Sequence, residues 1–164
     1  MFDSEQLDSS HVTDVFDSGT PSLDSWLQQS ALLSDSKRQS RTYVWCEDNK
    51  TVAAFFSLAP HVIERAELSP KLARGNLNEI PSILLARLAL DRRYQGRGLG
   101  AELLTDALSR AVAASNLVGG RYVVVEAIDD MAGLFYEHFG FARCESGALR
   151  RYLRKVSDIE ASLG

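Results

Sequence analysis

Three alternating glycines, Gly96, Gly98 and Gly100, stand between a predicted strand and a predicted helix. Glycine permits positive φ and a close approach of the backbone to a ligand. Successive amide N–H groups of such a turn point into one concavity, and the dipole of the following helix adds partial positive charge. The pattern therefore predicts a site for phosphate oxygens, and the alternative is a tight turn without a ligand. Three arginines beside the turn favour the anion site: Arg92, Arg93 and Arg97.

The spacing of the glycines separates this turn from two common nucleotide-binding classes. No Gly-Lys-Ser or Gly-Lys-Thr sequence follows the glycines, so the turn is not a Walker loop. A dinucleotide-binding fold is disfavoured because the pattern is G-x-G-x-G instead of G-x-G-x-x-G, and because it stands late in the chain.

The elements that must position the turn alternate between strands and helices. The apolar run 83–90 predicts a central strand before the turn, and helical periodicity after the turn continues to about residue 114. Residues 122–127 predict a second buried strand. Asp129 and Asp130 then start a helix that continues to about His138, with carboxylates favourable in its first turn.

The remaining segments complete a mixed sheet. The Thr20 hydroxyl as a cap, followed by Pro21 at the first helical position, predicts the start of an amphipathic helix that continues to about residue 34. The other predictions are a hairpin of strands 41–47 and 51–59, an irregular segment 60–81 with a short helix near 70–76, and closing strands near 141–145 and 148–155. This order, β-α-β-β-α-β-α-β-β with an extra strand at the very start, predicts a mixed α/β sheet in a single domain, 1–164.

Two motifs resemble the GNAT superfamily of N-acetyltransferases. Gln95–Gly100 fits its acetyl-CoA signature [QR]-x-x-G-x-[GA], and Phe135–Phe141 fits its second landmark, [FL]-Y-x-x-x-G-F. The resemblance implies a central sheet flanked by helices, whose fourth and fifth strands, 83–91 and 121–127, splay apart around acetyl-CoA. It also implies an acceptor-side half, 1–80, and an acetyl-CoA-binding half, 81–155.

The resemblance assigns roles to particular residues. Tyr136 is expected to protonate the departing thiolate of coenzyme A, because a phenol with a pKa of about 10 can serve as that acid. Backbone N–H groups around 88–90 are expected to polarise the thioester carbonyl. Asp129 stands where many members carry an asparagine that binds the cofactor, so it is not assigned to the cofactor. The expected cofactor contacts are Leu88, Ala89, Leu90, Gln95, Gly96, Arg97, Gly98, Leu99, Gly100 and Ala101.

A general base is less clearly indicated by the sequence. Glu126 and Asp91 stand at strand ends, and His138 lies within the second motif. Each is explained more readily as a structural or solvent-exposed residue. A substrate amine of low pKa would need no strong base.

The first third of the chain and the strand before the glycines resemble one particular group within the superfamily. Segments 22–31, 41–45 and 52–59, and the sequence 80–91, are similar to the GNAT toxins of bacterial toxin–antitoxin pairs. In that family the enzyme acetylates the α-amine of the amino acid on charged tRNA, and a ribbon-helix-helix antitoxin neutralises it. The partners implied are therefore aminoacyl-tRNA and such an antitoxin; a homodimer is also expected, and no membrane is.

Arg87 is the charged residue of an otherwise apolar predicted strand, so it must face a polar group or a cleft. It is expected either to form a salt bridge with a neighbour or to contact the acceptor end of tRNA. Two other functions stay open: a GNAT enzyme that acetylates a small amine, a drug or a protein N-terminus, and a degenerate domain used only for binding. The retention of Gly98, Gly100 and Tyr136 argues against the degenerate domain.

The composition limits the classes of protein to which this chain can belong. Hydrophobic residues make up 45% and charged residues 24% of 164 residues, as in ordinary globular proteins. No apolar run reaches the roughly 18 residues of a membrane span, and the acidic start lacks the order of a signal peptide, so a cytoplasmic protein is expected. Cys46 and Cys144 lack metal-ligand spacing and are expected to be buried free thiols. The net charge of −4 means that tRNA would have to be met by a local basic cluster.

Overall fold

The computed structural model describes residues 2–144 and 150–164, so part of each predicted closing strand, 145 and 148–149, lies outside the described residues. The helices are α1 Pro21–Gln29, α2 Ala31–Ser36, α3 Pro70–Ala73, α4 Leu99–Val118, α5 Asp130–His138 and α6 Val156–Ser162. The strands are β1 Glu5–Gln6, β2 Arg41–Cys46, β3 Val52–Glu64, β4 Glu79–Leu90, β5 Tyr122–Glu126, β6 Ala142–Arg143 and β7 Arg151–Lys155. None of these helices is long and apolar enough to cross a bilayer.

The strands form a mixed sheet in the order β1-β2-β3-β4-β5-β7-β6. β4 and β5 are parallel, whereas the pairs β1–β2, β2–β3, β5–β7 and β6–β7 are antiparallel. The paired residues of β4 and β5 are Ser82–Leu85 and Tyr122–Val125. β4 then continues to Leu90, while β5 ends at Glu126. Pairing between β4 and β5 therefore ends at Leu85 and Val125, which agrees with the expected divergence of the fourth and fifth strands.

Contacts group the chain into two compact units, each built from two separate segments. The first unit comprises 1–59 and 86–107. Its core lies between the first two helices and strands β2 and β3, where Phe55 packs edge-on against Phe16 and stacks on Trp26. Burial of these apolar side chains is the main source of stability for the unit.

The second unit comprises 60–85 and 108–164. Its core contains Ile63 of β3, Ile80 of β4, Tyr122 and Val124 of β5, and Leu153 of β7. On α5, a side chain at Gly133 would overlap the hydroxyl of Tyr152. This glycine therefore lets α5 lie directly against β7. It thereby sets the position of the helix that carries Phe135 and Tyr136 of the second motif.

Some predicted elements differ from the observed ones. The helix predicted to continue to residue 34 breaks at Ser30, whose φ of −124° and ψ of −26° leave the helical region, and both Leu27 and Ala31 are buried on either side of this break. The predicted cap by the Thr20 hydroxyl is wrong. In its place, the Ser18 N–H and hydroxyl both donate to Asp24 of the first turn.

Two further differences concern the irregular segment and the end of the chain. β3 continues to Glu64 and β4 begins at Glu79, so the predicted irregular segment 60–81 shrinks from both sides. The last helix, α6, was not predicted. Cys46 and Cys144 are free, as expected, but both are only partly buried.

Candidate active site

The glycine turn is anchored by Asp91, a buried carboxylate directly after β4. It accepts hydrogen bonds from the N–H groups of Asp17, at 3.1 Å, and Arg93, at 3.0 Å, and from Nε of Arg93 at 3.0 Å. Burial alone would raise the pKa of the Asp91 carboxyl, but these hydrogen bonds outweigh burial and lower it. Asp91 is thus a fixed structural anion, which agrees with the structural interpretation of this candidate base.

Gly96 and Gly98 adopt left-handed backbone conformations, with φ of 78° and 77°. A Cβ at either residue would meet nothing within 4 Å, so the turn presents an open backbone surface. Gly100 already lies in the first turn of α4. The free N–H groups at the start of a 20-residue helix, next to two left-handed glycines, have the geometry of an anion-binding cradle.

The side chain of Gln95 stabilises the glycine turn through hydrogen bonds to the backbone. Its side-chain N–H₂ donates to the carbonyl of Leu90 at 2.7 Å and to that of Ser18 at 2.9 Å. The signature glutamine therefore fixes the loop through the backbone. Its expected role as a direct cofactor contact stays a prediction.

The three arginines beside the turn are not equivalent. Arg92 pairs with Asp17 at 3.2 Å, and Arg93 pairs with both Asp91 and Glu47 at 3.0 Å. Arg97 lies 5.7 Å from the ring centroid of Tyr94 and has no carboxylate partner within 2–144 and 150–164. Of the three arginines, Arg97 is therefore the one whose guanidinium is available to bind an anion.

The end of β4 offers backbone donors. The Asp91 N–H donates to the carbonyl of Ala53 in β3. Because N–H groups alternate along a strand, the N–H of Ala89 points the same way, and those of Leu88 and Leu90 point to the opposite edge. Two of the three residues expected to polarise a thioester thus direct an N–H away from β3.

Arg87 lies over the ring of Trp26, with its guanidinium carbon 3.9 Å from the ring centroid. No salt bridge to Arg87 exists within the described residues, so that alternative is not observed. Burial lowers the pKa of the guanidinium, which remains charged. A half-buried cation held on an aromatic face and lacking a counter-ion is suited to receive an anionic ligand.

Tyr136 is buried in the second unit, on α5. Its ring packs edge-on against Phe135 and Phe141, with centroids 5.4 and 5.7 Å apart, and its carbonyl accepts from the N–H groups of Phe139 and Phe141. Burial raises the pKa of the phenol to about 12. The hydroxyl forms no hydrogen bond within the part of the chain that the structure describes, so it is a neutral donor without a protein acceptor.

The other sequence candidates have structural roles or are exposed. Asp129 caps α5, where its side chain accepts from the N–H of Ala132 at 2.8 Å. Glu126 accepts from Arg151 at 3.0 Å. His138 is exposed at the end of α5, where its ring packs edge-on against Phe139.

A polar cluster in the second unit escaped the sequence analysis. It contains His61 of β3, Glu67 of a 3₁₀ turn, Glu126 of β5 and Arg151 of β7. The first two residues stand in the segment predicted to be irregular. The useful signal was the pair of β-branched residues Val62 and Ile63, which would have extended the strand past Pro60.

Comparisons with known proteins agree with this architecture. The family model of the acetyltransferase (GNAT) domain matches residues 38–143. A tRNA-acetylating toxin of Mycobacterium tuberculosis is 42% identical over 149 residues, which cover 91% of this chain and 89% of that protein.

Two solved structures have the same fold over nearly their full length. AtaT complexed with acetyl-methionyl-tRNAfMet has a TM-score of 0.91 at 28% identity, with complete coverage of both chains. A mutant AtaT toxin bound to the C-terminus of the antitoxin AtaR and acetyl-CoA has a TM-score of 0.84 at 27% identity, covering 98% of this chain and 97% of that chain. With both sequence motifs on the expected elements, and with the family model matching most of the chain, this protein belongs to the GNAT acetyltransferase family.

Proposed function

We propose that this acetyltransferase is a toxin that transfers the acetyl group of acetyl-CoA to the α-amine of aminoacyl-tRNA and so blocks translation. The observation that carries the proposal is the 42% identity to a tRNA-acetylating toxin over most of both chains. The neighbouring fold of AtaT, solved with acetyl-methionyl-tRNAfMet, supports the same acceptor class.

Acetyl-CoA is held through its phosphates by the glycine turn. The left-handed Gly96 and Gly98 leave the N–H groups around them open to phosphate oxygens, and the N-terminus of α4 adds its dipole. Arg97 contributes the unpaired positive charge. The remaining contacts assigned to this site are Leu88, Ala89, Leu90, Gln95, Leu99, Gly100 and Ala101.

Acetyl transfer then requires three events. The amine nitrogen attacks the thioester carbonyl, whose developing negative charge is stabilised by the N–H groups of Leu88 and Leu90. The C–S bond breaks, and Tyr136 protonates the thiolate of coenzyme A. A phenol with a pKa of about 12 keeps its proton at neutral pH until the thiolate forms.

The acceptor is bound through its negative charge. Arg87, held on the ring of Trp26 without a carboxylate partner, contacts a tRNA phosphate at the acceptor end. An aminoacyl ester also has an α-amine of lowered pKa, so a weak base is sufficient to collect its proton.

The toxin is further expected to lie in the cytoplasm, with an antitoxin of the ribbon-helix-helix class and a second copy of the chain as protein partners. The complex of AtaT with the C-terminus of AtaR supports an antitoxin partner. We also propose one GNAT domain over 1–164, in which 1–80 serves mainly the acceptor and 81–155 mainly acetyl-CoA.

Growth and labelling together test the proposed function. Induction of the wild-type protein in a bacterium should arrest growth, and purified enzyme with labelled acetyl-CoA should label charged tRNA but not uncharged tRNA. Normal growth, with unlabelled charged tRNA and ready acetylation of a polyamine, an aminoglycoside or a peptide, would contradict the acceptor and leave the acetyltransferase assignment intact.

A further inference from the structure

An ion-pair network joins the ends of β5 and β7 in the second unit, with Arg151 and Glu67 largely buried and Glu126 half exposed. Arg151, the first residue of β7, lies opposite Glu126, the last residue of β5. Its Nη2 donates to Glu126 Oε1 at 3.0 Å, and its Nη1 donates to Glu67 Oε1 at 2.9 Å. The network follows directly on Val125, the last residue of β5 that pairs with β4, so it marks the point where those strands separate.

In and around this network, three buried polar atoms lack a partner among the described residues. They are Nε2 of His61, Oε2 of Glu67 and Nε of Arg151. Buried polar atoms in folded proteins are nearly always hydrogen-bonded. Two of these atoms belong to the ion-pair network, and His61 experiences the charges of all three of its members. Together the three atoms point to a bound group that supplies the missing donors and acceptors.

The chemical types of the three atoms define that group. A carboxylate oxygen and an imidazole nitrogen accept hydrogen bonds, whereas the guanidinium Nε–H only donates. The matching ligand has N–H donors next to an oxygen acceptor. An aminoacyl ester has this arrangement, because its α-amine is separated from its carbonyl oxygen only by the α-carbon and the carbonyl carbon.

The charges around His61 favour the neutral imidazole that such a role needs. Burial lowers the pKa of His61, and the positive charge of Arg151 lowers it further, against the opposing effects of Glu126 and Glu67. These three charged groups come from the turn before α3, from β5 and from β7. At neutral pH the ring therefore has a free lone pair.

We propose that His61, Glu67 and Arg151 form the binding site for the aminoacyl end of the acceptor, with His61 accepting the proton that the amine loses. The inference rests on the proposed function. Glu67 accepts from the amine, and Nε of Arg151 donates to the ester carbonyl. Glu126 is a positioning residue, because it holds Arg151 through Nη2 and leaves Nε free.

The proton balance of the reaction is complete with this assignment. The nitrogen lone pair forms the N–C bond to the acetyl carbon, and the C–S electron pair leaves with sulfur. The surplus proton on nitrogen moves to Nε2 of His61. Tyr136 gives its proton to sulfur, so the products are the N-acetylated aminoacyl ester and coenzyme A, and the protein regains its original state by exchange with solvent.

Histidine NMR tests the site without depending on tRNA as the substrate. The imidazole signal of His61 is assigned by its loss in His61→Gln, and the protein is titrated with alaninamide, which carries the same amine and carbonyl. We expect a saturable shift of the His61 signal and none at the exposed His138. Absence of a shift at His61 would overturn the proposal in favour of buried water at the three atoms.

Kinetics on charged tRNA supply the second measurement. His61→Gln should lower kcat about 10²-fold and remove the fall in kcat/KM on the acidic side, whereas Glu67→Gln should chiefly raise KM. His138→Gln should match the wild type, and all variants should keep the thermal shift caused by acetyl-CoA, which shows that they fold.

A wild-type rate and pH profile in His61→Gln would refute the role of His61. If the wild type itself does not label charged tRNA, the proposed function fails. The alaninamide titration then still decides whether the cluster binds an amine next to a carbonyl.

Discussion

At the scale of single residues, Tyr136 combines deep burial with a hydroxyl that no described residue engages. Tyr136→Phe removes only this hydroxyl, so the thermal shift caused by acetyl-CoA should remain and kcat should fall about 10²-fold or more. Tyr152→Phe is the matched control, since Tyr152 is a buried tyrosine of the same unit to which the proposed reaction assigns no step. Stopped-flow or single-turnover transfer to charged tRNA measures the difference, and a normal kcat for Tyr136→Phe would show that water protonates the thiolate.

Glu5 provides a residue-scale prediction about stability. Its carboxylate accepts from His11, Cys46 and Lys50, and these interactions lower its pKa from 4.5 to about 2. A lowered carboxyl pKa stabilises the folded state fully above the unfolded value of 4.5, and this stabilisation is lost as the pH falls towards 2. His11 completes the network because its Nδ1 accepts from the Asp8 N–H.

The measurable consequence is the pH dependence of Glu5→Gln. The carboxylate is half exposed, so solvent screening keeps its contribution at or below about 1 kcal/mol, which corresponds to about 2–4 °C in Tm for a chain of this size. The deficit of the variant should be constant above pH 5 and should shrink between pH 5 and pH 3. Glu64→Gln, at an exposed glutamate, should show no such trend, and a deficit for Glu5→Gln that grows with acid would contradict the network.

At the scale of elements, the two ends of α4 allow a controlled test of the phosphate site. Gly98 before the helix and Gly119 after it both have positive φ and open space where a Cβ would stand. Aspartate at either position therefore imposes similar backbone strain, but only Gly98→Asp places a negative charge in the cradle. Acetyl-CoA should raise the Tm of the wild type and of Gly119→Asp, and it should not raise that of Gly98→Asp. Equal Tm shifts in both variants would show that the phosphates of acetyl-CoA bind elsewhere.

Some of the helices and strands could be predicted from the sequence and others could not. The strand and helix on either side of the glycine turn were predictable, because Ile83–Leu90 is an apolar run broken only by Arg87 and helical periodicity is strong across α4. The break at Ser30 was not predictable from periodicity, because Leu27 and Ala31 keep helical spacing across it. The extension of β3 was missed because polar residues interrupt the pattern after Pro60, and the buried cluster of His61 was missed with it. The three charged residues that act on His61 come from distant segments, which only the folded chain brings together.

At the scale of the whole molecule, the negative net charge opposes the binding of tRNA, which is itself negatively charged. The chain has a net charge of −4 and a pI near 5.4, so tRNA is repelled at long range and must be attracted locally. Phosphate contacts make activity fall steeply with salt, since each contact releases counterions. A plot of log kcat/KM against log salt should therefore be linear with a negative slope.

We propose that Arg87, held on the ring of Trp26, makes one of those contacts. Arg87→Ala should lower kcat/KM for charged tRNA and reduce the magnitude of the salt slope by about one, while the thermal shift caused by acetyl-CoA stays the same. Arg121→Ala removes an exposed arginine that directly precedes β5 and should leave both quantities unchanged. An unaltered slope in Arg87→Ala, together with a weaker acetyl-CoA shift, would reassign Arg87 from the tRNA to the cofactor.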